Sequence, residues 1–267
     1  MLREITLGQF YPADSILHKL DPRVKIMGTL FFIVSMFIFD SWQGYLLAAF
    51  FLAVMIKISR VPFSFMVKGL KAVVILILIT AVFNLLFTHG EPLFSFWRLT
   101  VTKEGVKTAV KMMLRLCFLI LGSSVMTLTT TPKQLTDGIE KLLSWLRIFK
   151  VPVHEIAMMM SIALSFIPIL TEETDKIMKA QMARGANFES GNIIKKAEAL
   201  VPLLVPLFVS AFRRANDLAL AMEARCYRGG EGRTKMKPLV YKRRDRVAYL
   251  VLYAYLGAVI ALRILFG

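Results

Sequence analysis

Residues 156–232 read IAMMMSIALSFIPILTEETDKIMKAQMARGANFESGNIIKKAEALVPLLVPLFVSAFRRANDLALAMEARCYRGGEG. Two long helical patterns run through this stretch, and each is apolar in its earlier part and polar towards its end. The first pattern ends in Ala183-Arg184-Gly185, and the second ends in Ala224-Arg225-Cys226. Each predicted helix therefore closes on one arginine between two small residues. The glycines at 229, 230 and 232 predict where the second helix stops.

The composition around this stretch indicates a membrane protein. The chain has 267 residues, of which 57% are hydrophobic, and its mean hydropathy is +0.62. Soluble domains are only about 45–50% apolar, and here apolar runs alternate with short charged patches. We predict an all-α polytopic protein with about five transmembrane helices plus long cytoplasmic coupling helices.

The predicted transmembrane helices are five apolar runs. They occupy residues 24–39, 43–58, 69–88, 107–130 and 247–266. The link at 39–44 carries no Lys or Arg and is predicted to face outward, which places the N-terminus in the cytoplasm. Residues 89–105 are predicted to form an external loop because they contain glycine and proline.

Some basic residues test this topology. The loop after the second run is predicted to be cytoplasmic because it holds Lys57, Arg60, Lys68 and Lys71. Lys107, Lys111 and Arg115 begin the fourth run, where an external start is expected. Snorkelling to the interface or a face turned towards protein would each explain them, and the sequence leaves both explanations open.

The net charge of +16 has two interpretations. Nucleic-acid binding is one, but the basic residues flank apolar runs and form no single stripe. The positive-inside rule, attraction to the lipid bilayer and an acidic protein partner account for them better. We therefore predict no nucleic-acid partner.

A predicted helix start at Thr131-Pro132-Lys133-Gln134 separates the apolar runs before it from the region that follows. Threonine is the expected cap, proline suits the first turn and glutamine completes a capping box. An amphipathic helix is predicted to follow. We predict an N-terminal membrane region with four transmembrane helices at 1–130, a cytoplasmic coupling-helix region at 131–240 and a C-terminal transmembrane helix at 241–267.

Residue patterns for catalysis are lacking in the sequence. There is no Gly-x-x-x-x-Gly-Lys-Ser/Thr loop for ATP and no nucleophile elbow. The histidines at 18, 89 and 154 have no Cys or carboxylate set at metal-ligand spacing. The prediction is a protein that is not an enzyme and holds no metal or cofactor.

The paired Ala-Arg-Gly and Ala-Arg-Cys motifs, with Leu20-Asp21-Pro22-Arg23-Val24-Lys25, resemble the T component of energy-coupling factor transporters. These are ABC-type importers of vitamins and transition metals. The resemblance implies a multi-pass protein of the prokaryotic cell membrane. It also implies that the motifs sit at the ends of cytoplasmic coupling helices and dock into grooves on two ATPase subunits. Cys226 stands where the family commonly has glycine.

The two arginines admit two explanations. A basic residue near a helix C-terminus stabilises the helix dipole and binds the last carbonyls. Alternatively, the planar guanidinium of Arg184 and of Arg225 holds a carboxylate of a partner in two bonds, while small neighbours allow close approach. The recurrence of the motif favours ATPase coupling by residues Ala183, Arg184, Gly185, Ala224, Arg225 and Cys226.

Six methionines accumulate in the same stretch. They are Met158, Met159, Met160, Met178, Met182 and Met222. Methionine fills gaps in a helical core, and it also suits a surface that accepts several partners. The resemblance implies a separate membrane substrate-binding (S) subunit, and we interpret these methionines as its contact surface.

The alternative function is a stand-alone secondary transporter. Such proteins carry ionisable groups within their transmembrane helices, whereas Asn84 is the main polar residue deep in the third run. An enzyme acting on lipids would need a polar catalytic cluster near the interface. The sequence thus favours a T component that transmits motion from two ATPases to the S subunit.

Overall fold

A computed structural model describes residues 10–88, 92–96, 99–186, 193–229, 236 and 238–266. The first four helices are α1 (Pro22–Ile38), α2 (Trp42–Ser59), α3 (Phe63–Phe87) and α4 (Lys103–Thr129). A 3₁₀ helix (Leu143–Phe149) follows α5 (Pro132–Leu142). The last three helices are α6 (Val153–Ala183), α7 (Ile193–Ala224) and α8 (Arg243–Phe266). The all-α prediction is confirmed.

The described residues divide into two compact units. One lies within residues 8–139 and 239–267 and contains α1 to α4 and α8; we call it the α1–α8 unit. The other lies within residues 140–238 and contains α6 and α7; we call it the α6–α7 unit. The three predicted regions, with boundaries at 130 and 240, stay a prediction.

In the α1–α8 unit, α4 packs against α1, α2 and α3, and α8 packs against α1 and α2. Phe32 and Met36 of α1 are buried, and the ring of Phe51 stacks on that of Tyr255 with centroids 4.3 Å apart. The hydroxyl groups of Ser35 and Tyr255 hydrogen bond at 2.9 Å. Burying these two hydroxyl groups costs little free energy because each is the hydrogen-bond partner of the other.

A polar cluster, the α1–α8 clasp, joins the starts of α1 and α8; it consists of Asp21, Arg23, Tyr241 and Asp245. The Arg23 guanidinium donates to both carboxylate oxygens of Asp21, at 2.9 and 2.8 Å, and lies 3.8 Å from the centre of the Tyr241 ring. Burial alone would raise the pKa of Asp21, but the hydrogen bonds from Arg23 hold it below its usual value. This carboxylate therefore stays charged at neutral pH.

Asp245 completes the clasp from α8. Its carboxylate accepts the backbone N–H of Asp21 at 2.9 Å and that of Lys242 at 2.7 Å. These two N–H groups precede the first turns of α1 and α8, so no helical carbonyl is available to either. One side chain, only 1% exposed, thus satisfies donors at the start of two helices.

Four described helices are long and apolar enough to cross a membrane, namely α2, α4, α6 and α8, and the bent α3 makes a fifth if its two segments count as one. Helix α1, which corresponds to the predicted run 24–39, has 17 residues and is too short for that count. Helix α6, which was not among the predicted runs, is long and apolar enough instead. By length and composition the described residues thus hold four or five candidate spanning helices, where about five were predicted, and the set differs by one helix.

The predicted loop at 89–105 contains regular structure. Strands β1 (Pro92–Phe96) and β2 (Leu99–Thr102) form an antiparallel hairpin, and α4 already begins at Lys103. Thr102 caps α4 by accepting the N–H of Gly105 at 3.0 Å. The sequence did not predict this hairpin, and the external position of the segment stays a prediction.

Arg115, whose place near the start of the fourth run was unexplained, faces protein. Its guanidinium forms an ion pair with Asp40 at 2.7 Å and donates to the carbonyl of Phe39 at 3.4 Å. The side chain is only 13% exposed. The protein-facing explanation is therefore the correct one for this residue.

The capping box before α5 is confirmed. The N–H of Gln134 donates to the Thr131 hydroxyl at 3.3 Å, and the Thr131 N–H donates to the Gln134 side-chain oxygen at 3.2 Å. Both halves of the reciprocal pair are present, so local sequence alone determines where α5 begins.

Candidate functional site

The first arginine motif forms the C-terminal cap of α6. Arg184 is the cap residue, and Gly185 follows with φ +91°. The N–H of Gly185 donates to Met182 and that of Ala186 donates to Gln181, both at 3.0 Å. This pair of bonds is a Schellman motif, which requires a left-handed residue after the cap. Glycine adopts that conformation without a steric penalty.

The second motif forms the same structure at the end of α7. Arg225 is the cap residue, and Cys226 takes the left-handed position with φ +54°. The N–H of Cys226 donates to Glu223 at 2.8 Å, and that of Tyr227 donates to Met222 at 3.0 Å. The two motifs are therefore alike in backbone geometry as well as in sequence. The prediction that glycines 229, 230 and 232 close α7 was wrong, since Cys226 does so.

Both motifs are open to solvent. All six residues, Ala183, Arg184, Gly185, Ala224, Arg225 and Cys226, are exposed. Within the described part of the chain, neither guanidinium forms an ion pair or a side-chain hydrogen bond. A Cβ placed on Gly185 would meet nothing within 4 Å. Each helix end thus exposes one planar, positively charged guanidinium group that lies between small residues.

Two polar contacts join α6 to α7. The Gln181 side-chain amide donates to the carbonyl of Pro202 at 3.2 Å, and Arg214 approaches Glu173 at 3.8 Å. Pro206, four residues after Pro202, has no N–H and cannot bond that carbonyl within the helix. Gln181 therefore satisfies an acceptor that the proline leaves free.

These contacts establish an antiparallel pairing of the two helices. The residue nearer the end of α6, Gln181, meets the residue nearer the start of α7, Pro202. Arg184 thus lies close to this contact, whereas Arg225 lies roughly 35 Å further along α7 at about 1.5 Å per residue. The two arginines belong to opposite ends of the α6–α7 pair, and one small surface cannot contact both.

Comparison with known proteins identifies the family. The family model described as cobalt transport protein, CbiQ, matches residues 13–236. A Clostridium kluyveri protein named energy-coupling factor transporter transmembrane protein EcfT is 58% identical over 252 residues, covering 94% of this chain and 93% of that protein. The chain belongs to the T-component family of energy-coupling factor transporters. The resemblance inferred from the two motifs is confirmed.

Other T components align along nearly the whole chain. The Ruminiclostridium cellulolyticum protein of the same name is 48% identical over 266 residues, covering all of both chains. The Bacillus subtilis protein is 47% identical over 260 residues, covering 96% of this chain and 98% of its own length. As a member of this family the chain is a transport protein of the membrane, and its relatives are named as the transmembrane parts of transporters.

The six methionines are spread along α6 and α7, and their role as the contact surface for a substrate-binding subunit stays a prediction. Met158, Met159 and Met160 lie in the first turns of α6, whereas Met178 and Met182 lie near its end, roughly 30 Å away. Met222 belongs to the last turns of α7. Consecutive helical residues point in different directions, so even the first three cover more than one face. Met159, Met160 and Met182 are about half exposed.

The histidines of this T component have ordinary partners where the structure describes them. His18 hydrogen bonds to Ser15 and to the Tyr11 carbonyl, and His154 approaches Glu140 at 3.0 Å. His89 lies outside the described residues. Among the described residues, no group of three His, Cys, Asp or Glu side chains comes together as a metal site would require.

The left-handed cap position predicts opposite effects of exchanging its two residues. Cys226→Gly removes the penalty of a side chain at φ +54° and should stabilise the end of α7 by about 1 kcal/mol. Gly185→Cys should destabilise the end of α6 by a similar amount. Hydrogen exchange of the Tyr227 and Ala186 amides measures both, with changes of about fivefold. Equal exchange rates in each variant and its parent would contradict the cap assignment.

Proposed function

We propose that this T component transmits ATP-driven motion of two ABC-type ATPase subunits to a membrane substrate-binding subunit, for uptake of vitamins or transition metals. One observation carries the proposal: two exposed arginines terminate two helices in the same cap geometry, at opposite ends of one antiparallel pair. That arrangement suits two separate copies of a similar partner surface.

The chemistry of each motif suits docking into a narrow acidic groove. Arginine stays charged at any physiological pH and binds a carboxylate through two parallel hydrogen bonds. Since Ala183, Gly185, Ala224 and Cys226 are small, the helix end can approach a partner backbone closely. The left-handed turn after each arginine ends the helix sharply and leaves the guanidinium at its tip.

Mechanical coupling follows from the contacts between α6 and α7. Packed helices move as rigid elements and shift between discrete arrangements. Since Gln181 and Glu173 of α6 bind α7, displacement of Arg184 or Arg225 is passed to both helices. When ATP binding draws the two ATPases together, the helix pair changes its position and tips the substrate-binding subunit.

This function requires a particular topology. We propose a cell-membrane protein with a cytoplasmic N-terminus and with residues 131–240 as the coupling region. Helix α6 then serves as a coupling arm, with its apolar start beneath the membrane and its acidic and basic second half in the cytoplasm. Met158, Met159 and Met160, at the apolar start, are the proposed contact for the substrate-binding subunit. Met222 belongs to the same end of the antiparallel pair, whereas Met178 and Met182 lie near Arg184 at the other end.

Cys226 offers a direct experiment because it is exposed within the second motif, and Cys117 is the other cysteine of the chain. In a Cys117→Ala background, a photocrosslinker attached to Cys226 in native membranes should capture an ABC-type ATPase. Moving the cysteine to the first motif, as Ala183→Cys with Cys226→Gly, should capture an ATPase as well. Mass spectrometry identifies the partner in both cases.

A matched control uses the same helix. Ala215 is exposed on α7, about 15 Å before Arg225. A crosslinker at Ala215→Cys, with Cys226→Gly, should capture the ATPase at least several times less. Equal capture from all three positions, or capture of lipid alone, would contradict docking by the motifs.

A further inference from the structure

The α1–α8 unit encloses a cavity of about 230 Å³ between α1, α2, α4 and α8. Its walls are almost entirely apolar and include the side chains of Leu20, Phe32, Phe51, Leu52 and Leu252. A dry apolar cavity of about 150 Å³ already accepts benzene. The space therefore holds a sizeable segment of hydrocarbon.

The cavity has a shallow end and a deep end. At the shallow end it is lined by Lys25 in the first turn of α1, Ile58 in the last turn of α2 and Thr129, the last residue of α4. Phe32, at the deep end, lies roughly 10 Å further along α1. One end is thus level with the helix termini, and the other lies within the apolar part of the bundle.

The shallow end carries two cationic side chains. Lys25 is only 8% exposed, and its ammonium group donates to the carbonyls of Thr129 at 2.8 Å and His18 at 3.4 Å. Neither partner is charged, although an ammonium group has three protons to donate. Arg244 lines the same cavity, and its buried Nε–H has no partner among the described residues.

Acidic residues nearby are occupied elsewhere. Both Asp21 oxygens accept from Arg23, and Asp245 accepts two backbone N–H groups. Among the described residues, no carboxylate lies within ion-pair distance of Lys25 or Arg244. Asp21 attracts the Lys25 ammonium group only at longer range. The positive charge at the mouth of the cavity therefore has no contacting counter-ion among the described residues, which favours an anionic occupant.

The side of the cavity opens towards lipid. Ile58 and Val251 line it and are 37% and 46% exposed, on the outer surfaces of α2 and α8. Both helices are candidate membrane-spanning helices. A hydrocarbon chain can thus enter laterally while its headgroup stays at the level of the helix ends.

We propose that this cavity binds one anionic phospholipid, with an acyl chain in the apolar space and the phosphate beside Lys25 and Arg244. The apolar walls supply affinity for the chain and the two cations supply selectivity for the headgroup. A lipid held there links the starts of α1 and α8 to the ends of α2 and α4. The site is independent of the arginine motifs of the α6–α7 unit.

The test counts bound lipid on the full chain. The chain is purified in detergent, stripped of lipid and mixed with phosphatidylglycerol or phosphatidylcholine of identical acyl chains, and native mass spectrometry quantifies the adducts. Phosphatidylglycerol should bind at least about fivefold more tightly, the value expected for one cation near the surface. Arg244→Gln should remove about this factor for phosphatidylglycerol and weaken phosphatidylcholine less, because the choline cation already neutralises its phosphate.

Two variants fill the cavity. Ala248→Phe projects into it from α8, and Val251→Trp narrows it from its exposed rim. Each should reduce binding of both lipids by about tenfold or more, since the acyl chain loses its space. The matched controls are Ala261→Phe and Arg246→Gln, at exposed positions of the same helix that do not line this cavity.

Certain results would overturn the proposal. Equal binding of the two lipids would exclude recognition of the anionic headgroup. Unchanged binding to Val251→Trp, a rim position whose replacement spares the core, would exclude the cavity even if Ala248→Phe fails to fold. If Arg246→Gln lowers phosphatidylglycerol binding as much as Arg244→Gln does, the preference for this lipid is a general attraction by surface charge and not recognition at the cavity.

Discussion

Replacement of both Arg184 and Arg225 by alanine is expected to abolish ATP-driven uptake. Truncation of a central interfacial arginine costs about 2 kcal/mol or more. Loss of two such anchors therefore weakens the complex by roughly three orders of magnitude. Uptake is measured in cells lacking their own copy of the chain, with a panel of labelled vitamins and transition-metal ions. The solute that the wild-type chain imports should no longer accumulate.

The stability of the chain itself should be unchanged in this double variant, since both side chains are exposed and unpaired in the described part of the chain. Its apparent Tm in detergent is the control for folding. Substitution of both arginines by lysine keeps the charge but loses the planar fork, so uptake should fall between wild type and the alanine variant. Full uptake by the alanine variant would contradict the proposed coupling.

Asp245→Ala is expected to be strongly destabilising. The substitution leaves the N–H groups of Asp21 and Lys242 without an acceptor in a buried place. An unsatisfied buried donor costs about 1–3 kcal/mol. The sum is about 3 kcal/mol, which lowers the Tm of a chain of this size by roughly 8 °C. Thermal unfolding of the purified full chain, followed by circular dichroism, measures the shift.

Two comparisons sharpen this experiment. Asp245→Asn keeps one carbonyl oxygen as an acceptor and should lose about half as much stability. Asp14→Ala removes an exposed carboxylate that forms an ion pair with Lys19, and exposed pairs contribute about 0–1 kcal/mol. A Tm for Asp245→Ala no lower than that for Asp14→Ala would show that the α1–α8 clasp does not stabilise the fold.

Local sequence predicted the start of α5 well because the decisive interaction is local. The Thr131 and Gln134 capping box joins residues only three positions apart. The end of α7 was harder. Cys226 occupies a left-handed position that glycine normally fills, so the glycines beyond it suggested a later end for α7.

Other features depend on residues far apart in the chain. Arg115 meets Asp40, and Asp245 meets the backbone of Asp21, across long sequence separations. No periodicity or motif in the sequence predicts such pairs. The arginine motifs could be found in the sequence because they recur. Gln181 belongs to no recurring motif, so only the structure revealed its contact with Pro202.

The methionines show the limit of composition as evidence. Their accumulation between 158 and 222 suggested one partner surface, but helical rise separates the two groups on α6 by roughly 30 Å. The arginine motifs remained informative under the same geometry because each is a short local structure. Their positions at opposite ends of the α6–α7 pair then supported the two separate partners that the family resemblance implies.

The most direct test of the account is purification of the tagged chain from native membranes in mild detergent, with every accompanying protein identified by mass spectrometry. The wild-type chain should bring two ABC-type ATPases and a small membrane protein, and Arg184→Glu with Arg225→Glu should lose the ATPases. The control, Arg147→Glu with Arg213→Glu, makes the same charge change at exposed positions of the α6–α7 unit and should keep them. A chain that purifies alone and moves solute in liposomes without ATP would contradict the account.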